Sequence, residues 1–448
     1  MLLLQASGFL NFEYELHFRK NTYDENGNIV EYDIDQTDGD FFEVTLRNGN
    51  SKVLSILFDL DGFFVSLELR EEGRKNSIML MKRNYNGVFY IFPRNCLNLK
   101  KETIDYYLDY YNNNIIIDNQ YAKQLISEIH NIISGIVTSV GNSKHSKMLK
   151  TISESNFDDL FDNDYFRRQG YLSPISVLPP NIRPDNNHHY TIIQVASGCK
   201  IMAQRKKACG FCTSFHLKYY ERNISELKYH ISCLINCNPI TTKRANCAFL
   251  SDGDPLIIEN ILQLMDTIKE ALPNIREFES FISTKTILNI DGEKWSNLLK
   301  SGLKKVYWGV ESADEVTLNI IDKPHSVDML KKAREILEKN GIPYDIIIMC
   351  GIGGISQANR TCDELINNHH VTKTVDFVNS SRCNSVFISK IQISPECSMG
   401  RMVGKTVFPF SEDEMELQYR TLIKRIDKNI RGSYGNQFVV ERVNRHEI

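Results

Sequence analysis

Tyr190-Thr-Ile-Ile-Gln-Val-Ala-Ser-Gly-Cys199 is followed by nine residues and then by Cys209-Gly-Phe-Cys212. The β-branched run up to Val195 reads as a strand, and the small residues after it mark the strand's end. Three thiols therefore sit in the loop above a strand. Upstream, Leu178-Pro-Pro-Asn-Ile-Arg-Pro breaks the chain just before this strand and marks a boundary. Downstream, strands and helices alternate: a helix around 224–235, Cys247-Ala-Phe-Leu, a helix around 257–271, Phe278-Glu-Ser-Phe-Ile-Ser and Lys304-Lys-Val-Tyr-Trp-Gly-Val. A helix opening at Ser326, Asp345-Ile-Ile-Ile-Met and Ser385-Val-Phe-Ile-Ser-Lys-Ile continue the pattern. Six such βα repeats predict a parallel sheet with right-handed crossovers, as a full or partial barrel or a doubly wound sheet. Either form places function at the carboxyl ends of the strands.

The region before this one has a different rhythm. Phe42-Glu-Val-Thr-Leu-Arg, Val53-Leu-Ser-Ile-Leu-Phe, Phe63-Phe-Val-Ser-Leu-Glu-Leu and Val88-Phe-Tyr-Ile-Phe alternate between Asn-Gly, Asp-Gly and Gly-Asn turn pairs. That pattern predicts an antiparallel meander. From Lys101 to about Val137 the spacing becomes helical. The expected organisation is an N-terminal α+β domain over 1–150, a lead-in over 151–187, an α/β core over 188–405 and a helical extension over 406–448, with its helix near Glu412 to Ile430.

Across 448 residues, 42% hydrophobic and 24% charged, the composition is that of a soluble globular protein, and the length calls for more than one structural unit. With 53 basic against 56 acidic residues, the net charge of −3 gives no general pull toward nucleic acid or membrane. No apolar run is long enough to span a bilayer, and Met1-Leu-Leu-Leu-Gln lacks the basic lead and cleavage site of a signal peptide, so a cytoplasmic protein is expected. In that compartment eleven cysteines read as metal ligands or buried thiols rather than a disulfide framework.

Three thiolates in one loop suit a metal or cluster. Ser197-Gly-Cys-(nine residues)-Cys-Gly-Phe-Cys resembles the cysteine motif of the radical S-adenosylmethionine (SAM) superfamily, usually C-x3-C-x2-C with an aromatic before the last cysteine, the place of Phe211. The inserted Lys200-Ile-Met-Ala-Gln-Arg-Lys-Lys-Ala departs from that spacing. Further stretches fall in the superfamily's order. Phe249-Leu-Ser-Asp-Gly-Asp-Pro-Leu resembles its segment for the SAM amino group, with Asp252, Gly253 and Asp254 in place of Gly-Gly-Glu. Gly309-Val-Glu311-Ser312 is similar to its Gly-x-Glu-Ser segment near the SAM ribose or carboxylate. Cys350-Gly351-Ile-Gly353-Gly looks like its glycine turn beside the adenine, and Ser283-Thr-Lys285 ends the strand where a SAM contact often lies.

The resemblance covers about 178–400, on the branch related to oxygen-independent coproporphyrinogen oxidases. It implies a partial (β/α)6 barrel with a [4Fe-4S] cluster on Cys199, Cys209 and Cys212, leaving one iron open for SAM. It further implies an electron donor such as flavodoxin or ferredoxin, reductive cleavage of SAM to a 5′-deoxyadenosyl radical, and hydrogen abstraction from a substrate that the sequence does not name. The rival from another class is a non-catalytic zinc or iron–sulfur scaffold, with His216 as a fourth zinc ligand.

Other signals read more plainly. Phe58-Asp-Leu-Asp-Gly62 resembles a phosphatase nucleophile motif using Asp59 and Asp61, but without the hydroxyl residue after the glycine it reads as a hairpin turn. Cys233, Cys237, Cys247, Cys383 and Cys397 read as buried thiols rather than an auxiliary cluster. His188-His189 and His369-His370 read as solvent-exposed pairs, and Arg205-Lys-Lys207 as a solvated basic loop that could meet an anion or an electron donor.

Overall fold

The computed structural model describes residues 12–23, 29–34, 41–48, 52–71, 77–83, 89–93, 119–140, 144–154, 165–173, 182, 189–212, 217–251, 253–391, 393–426 and 437–438. The stretches 101–118 and 427–430, where helix was expected, lie outside them, as do Asp252, His188 and His216.

The N-terminal region is an antiparallel sheet in the order β2-β1-β3-β4-β5-β6-β7. Its strands are β1 (Phe12–Tyr23), β2 (Ile29–Ile34), β3 (Phe41–Asn48), β4 (Lys52–Asp59), β5 (Phe64–Glu71), β6 (Ser77–Arg83) and β7 (Phe89–Pro93). Alternation gives each strand one core face. Phe42, Val44 and Leu46 pair across the ladder with Phe58, Ile56 and Leu54. Helices α1 (Asn119–Ser139) and α2 (Lys144–Glu154) bring Ile129, Ile133, Ile136, Leu149 and Ile152 into the same core. Each buried aliphatic side chain of this kind contributes about 1.5–3 kcal/mol.

The Asp59-Leu-Asp-Gly62 segment is the turn between β4 and β5, as expected, closed by Gly62 N–H to Asp59 O at 3.0 Å. Neither of its carboxylates is left for phosphoryl chemistry. Asp59 Oδ1 accepts from the Asp61 and Phe63 amides. Asp61 reaches into the second region, where its oxygens accept from Ile240 N, Thr241 N and Thr241 Oγ1 at 2.8, 3.0 and 2.8 Å.

The second region has its own core. Strands β8 (Tyr190–Gln194), β9 (Cys247–Ser251), β10 (Glu277–Ile282), β11 (Leu303–Glu311), β12 (Tyr344–Cys350), β13 (Val386–Lys390) and β14 (Gln437–Phe438) lie side by side in chain order, all parallel. β9 and β12 are buried at every position, which is what helices on the outer face and a packed interior demand. The covering helices start on side-chain caps: Asn223 with Glu226, Ser283, Asp291, Asp314, Ser326 and Thr361 with Glu364. This is the sheet of a partial TIM-like barrel. Inside it Phe249, Phe281, Tyr307 and Phe387 form an aromatic layer with ring centroids 5.3–6.0 Å apart. No described helix is long and apolar enough to cross a membrane.

Candidate active site at the carboxyl ends of the strands

Above the aromatic layer lies a cavity of about 260 Å3 whose wall includes Cys199, Cys209 and Cys212. The nine inserted residues between the first two cysteines hold a short helix, Lys200–Arg205, ending on Lys206 with φ 55°. It is stapled on both sides. Lys200 Nζ meets Glu221 Oε1 at 2.8 Å, while Arg205 and Lys207 share the Asp322 carboxylate at 2.8 and 2.6 Å.

Between Cys209 and Cys212 the chain is held at Gly210, whose N–H donates to Ile321 O at 2.7 Å and whose carbonyl accepts from Met399 N at 3.0 Å. A β-carbon at Gly210 would stand 2.8 Å from Met399 Cγ and 3.0 Å from Ile321 O, so this close approach requires glycine. Gly253 is fixed in the same way, since a β-carbon there would lie 2.5 Å from the Gly198 carbonyl beside Cys199.

Burial raises the Cys199 thiol and pushes Cys209 up to about 11, while the Lys323 ammonium pulls Cys209 back down. Among the described residues no three His, Cys, Asp or Glu side chains are drawn up at ligating spacing. The three thiols face a common space without converging on a point.

Asp254 is buried in the cavity wall, where Oδ2 accepts from Ser283 N at 3.2 Å and Thr286 Oγ1 at 2.6 Å. Its other oxygen, Oδ1, is buried without a hydrogen bond. Burial raises this carboxyl, and the Ser283 and Thr286 donors partly offset the rise. Ser283 also caps the helix starting at Thr284, and Lys285 lines the cavity beside Gln204, 3.5 Å away. Phe211 lies on the wall with Lys323 Nζ 5.6 Å from its ring centre.

Glu311 closes β11 at a register shift with φ 62°, and its Oε1 takes Lys323 Nζ at 2.8 Å. The sequence reading did not single out Lys323 or its neighbour His325, although both line the cavity. The helix Glu315–Ile320 after β11 turns the chain back, so Asp322-Lys-Pro-His325 returns to the strand end that Glu311 occupies. An Asp-Lys-Pro-His run after a helix was the available signal, and it is weak alone.

Three expected site residues lie elsewhere. Ser312 is fully buried behind the cavity, where its Oγ meets His370 Nδ1 at 2.9 Å and donates no face to the wall. Gly351 and Gly353 are absent from the wall as well, and the space their missing β-carbons leave is filled by Met415 Cε at 2.4 Å and His370 Cβ at 2.7 Å. The flat backbone there accommodates the protein's own side chains. His370 also corrects the reading of His369-His370 as an exposed pair, since it is 1% exposed. It is the second residue of the helix His369–Asn379, and helical geometry turns it inward while His369 stays outside.

The arrangement fits a thiolate-bound cluster and a zwitterionic cosubstrate. Soft sulfur donors suit iron–sulfur ligation. The orphaned Asp254 Oδ1 is an acceptor for an ammonium, and Lys323 beside the cysteines is a cation for a carboxylate.

Residues 205–361 match the family model of the radical SAM superfamily. Residues 205–361 therefore carry a radical SAM domain. The match includes Cys209 and Cys212 and begins after Cys199.

Among solved structures, the chain is 13% identical to the radical SAM methyltransferase TsrM of Kitasatospora setae bound to tryptophan and a SAM analogue, covering 58% of each chain at a TM-score of 0.40. It is 11% identical to coproporphyrinogen III oxidase of Escherichia coli, covering 58% of this chain and 54% of that one at 0.38. With methylornithine synthase it shares 14% identity, covering 65% and 77% at 0.37. The chain thus spans less than two thirds of the first two structures. No curated protein matches it.

Proposed function

We propose that the chain is a cytoplasmic radical SAM enzyme whose Cys199, Cys209 and Cys212 hold a [4Fe-4S] cluster. When bound, cluster and SAM supply a 5′-deoxyadenosyl radical by reductive cleavage, the oxidant for abstracting a hydrogen atom from a substrate yet to be identified. A low-potential carrier such as flavodoxin or ferredoxin supplies the electron.

The observation that carries this reading is the meeting of the three thiols with Asp254 and the Glu311–Lys323 pair on one cavity wall. Asp254 Oδ1 would accept the methionyl ammonium, the carboxylate being held in place by the Ser283 and Thr286 donors on Oδ2. Lys323, steadied by Glu311, would hold the methionyl carboxylate. Phe281, Tyr307 and Ile347 wall the cavity below, presenting apolar surface that keeps bulk water from the substrate's reacting carbon. Phe211 and Gly253 shape the cysteine loop, and Lys285 stands at the rim.

The test is anaerobic reconstitution with iron and sulfide, followed by dithionite and SAM, comparing wild type with Cys209→Ala/Cys212→Ala. Release of 5′-deoxyadenosine by wild type alone is expected. Zinc uptake with no iron–sulfur chromophore, and SAM left intact, would overturn the reading in favour of a metal-binding scaffold.

A further inference from the structure

The insertion that lengthens the first cysteine spacing is rich in cations. Lys200, Arg205, Lys206 and Lys207 lie within it, and Lys218 and Lys285 lie near the same loop. The backbone of Lys218 passes Gly198, next to Cys199, where a β-carbon would be 3.3 Å from the Lys218 carbonyl carbon, and Lys285 Nζ is 3.5 Å from Gln204 Oε1. Among the described residues the acidic partners of this cluster are Glu221 and Asp322, and Asp322 is shared between Arg205 and Lys207. A chain of net charge −3 thus concentrates an excess of cations around the loop of its cysteines.

The position of these charges separates two uses. A ligand of the cavity would be met by side chains on its wall, where Arg205, Lys207 and Lys285 lie. Lys206 and Lys218 are exposed and off that wall, directed to an outer surface. Lys206 also holds a left-handed backbone as the cap of the inserted helix, which ends that helix and turns the chain toward Cys209. A basic outer surface next to a redox centre suits a macromolecule of opposite charge that delivers electrons without entering the cavity.

We infer that the outer face of the Lys200–Lys207 insertion, with Lys218, is the docking face for a small acidic one-electron carrier protein. The inference rests on the proposed iron–sulfur reading and adds to it where the electron enters. One electron leaves the reduced carrier and one is gained by the cluster, so the step needs no further reactant. Attraction between opposite faces speeds encounter and is screened once the Debye length falls to about 10 Å, near 0.1 M salt.

The test uses the reconstituted full chain and follows bleaching of the cluster chromophore in stopped flow, with photoreduced flavodoxin as one reductant and dithionite as the other. Lys206→Glu/Lys218→Glu is the variant, since neither side chain lines the cavity. Reduction by flavodoxin is expected to slow about tenfold in the variant and to lose most of its salt dependence, within the range of electrostatic steering, while the dithionite rate stays that of wild type. Equal flavodoxin rates in both proteins, with the same slope against salt, would overturn the docking face while leaving the cluster in place. Absence of any chromophore in wild type would instead overturn the iron–sulfur reading itself.

Discussion

Lys323 Nζ lies 2.8 Å from Glu311 Oε1 in the cavity wall, with the side chains 15% and 9% exposed and the Cys209 thiol close enough to be pulled down by the ammonium. Burial alone would depress the lysine, but Glu311 and then Cys209 reverse that, and the ammonium ends above its ordinary range.

Losing one partner of such a pair strands a buried charge, which costs about 3–5 kcal/mol. Lys323→Met and Glu311→Gln are each expected to lower the unfolding free energy of the metal-free protein by about that much, and the double variant by less than both together. Because the folded lysine is raised, its contribution is complete below the unfolded value of about 10.4 and fades only as pH climbs past the folded one. Urea titrations at pH 7 and pH 8.5 should therefore give the same coupling. Strictly additive losses would show that the two charges do not act together.

Gly210→Ala forces a β-carbon into Met399 and against the Ile321 carbonyl. The expected result is a folded protein that takes up markedly less iron and sulfide, with uptake restored in part by adding Met399→Ala. Full uptake by the single variant would show that the loop between Cys209 and Cys212 tolerates displacement.

Among the described residues three histidines are buried and held neutral: His230 and His325 fall to about 3 and His370 to about 4, each chiefly through burial. His230 is the best anchored, with Nδ1 2.8 Å from Gln169 O and Nε2 accepting from Gln194 N at 3.1 Å. Depressed folded values mean that the unfolded chain binds more protons below about pH 6.5, so stability is intact above that point and lost as pH falls. Each histidine contributes a slope of about 1.4 kcal/mol per pH unit between the two values. Urea unfolding at pH 7, 6 and 5 should show this loss, and His230→Gln should flatten it. An unchanged slope in that variant would refute the assignment.

Asp61 supplies from the β4–β5 turn what the helix Pro239–Arg244 lacks locally, since its own preceding residue, Asn238, makes no side-chain cap. Asp61→Ala should cost about 0.5–2 kcal/mol, the usual range for a lost cap. Hydrogen exchange at the Ile240 and Thr241 amides should quicken at the same time. Exchange at the wild-type rate would mean that the two regions do not depend on this carboxylate.

Much of the barrel was legible because both causes are local. Parallel strands buried on two faces read as unbroken apolar runs, and the cysteine spacing is visible in a single loop. The positions of Asp254 and Glu311 were legible because they follow strand ends, where an α/β fold puts its chemistry. Lys323 was hidden because its place depends on a helix folding the chain back on itself. At Gly351 and Gly353 a glycine turn signals close approach without saying by what, and Met415 and His370 come near both positions. In the first region Tyr14, Leu16 and Phe18 alternate with charged or polar residues and could have disclosed β1. The partner of Asp61 could not have been found so, as it lies 179 positions away.

Glu311 sets backbone strain against a buried ion pair at a single residue. A left-handed conformation costs a side-chain-bearing residue on the order of 1–2 kcal/mol, and glycine would be free of most of that cost. Glu311→Gly would also strip Lys323 of its carboxylate. Stranding that ammonium costs about 3–5 kcal/mol, more than the relieved backbone strain returns, so stability and site alike hold glutamate here. Any stabilised version that leaves Glu311 untouched must find its gain elsewhere in the molecule.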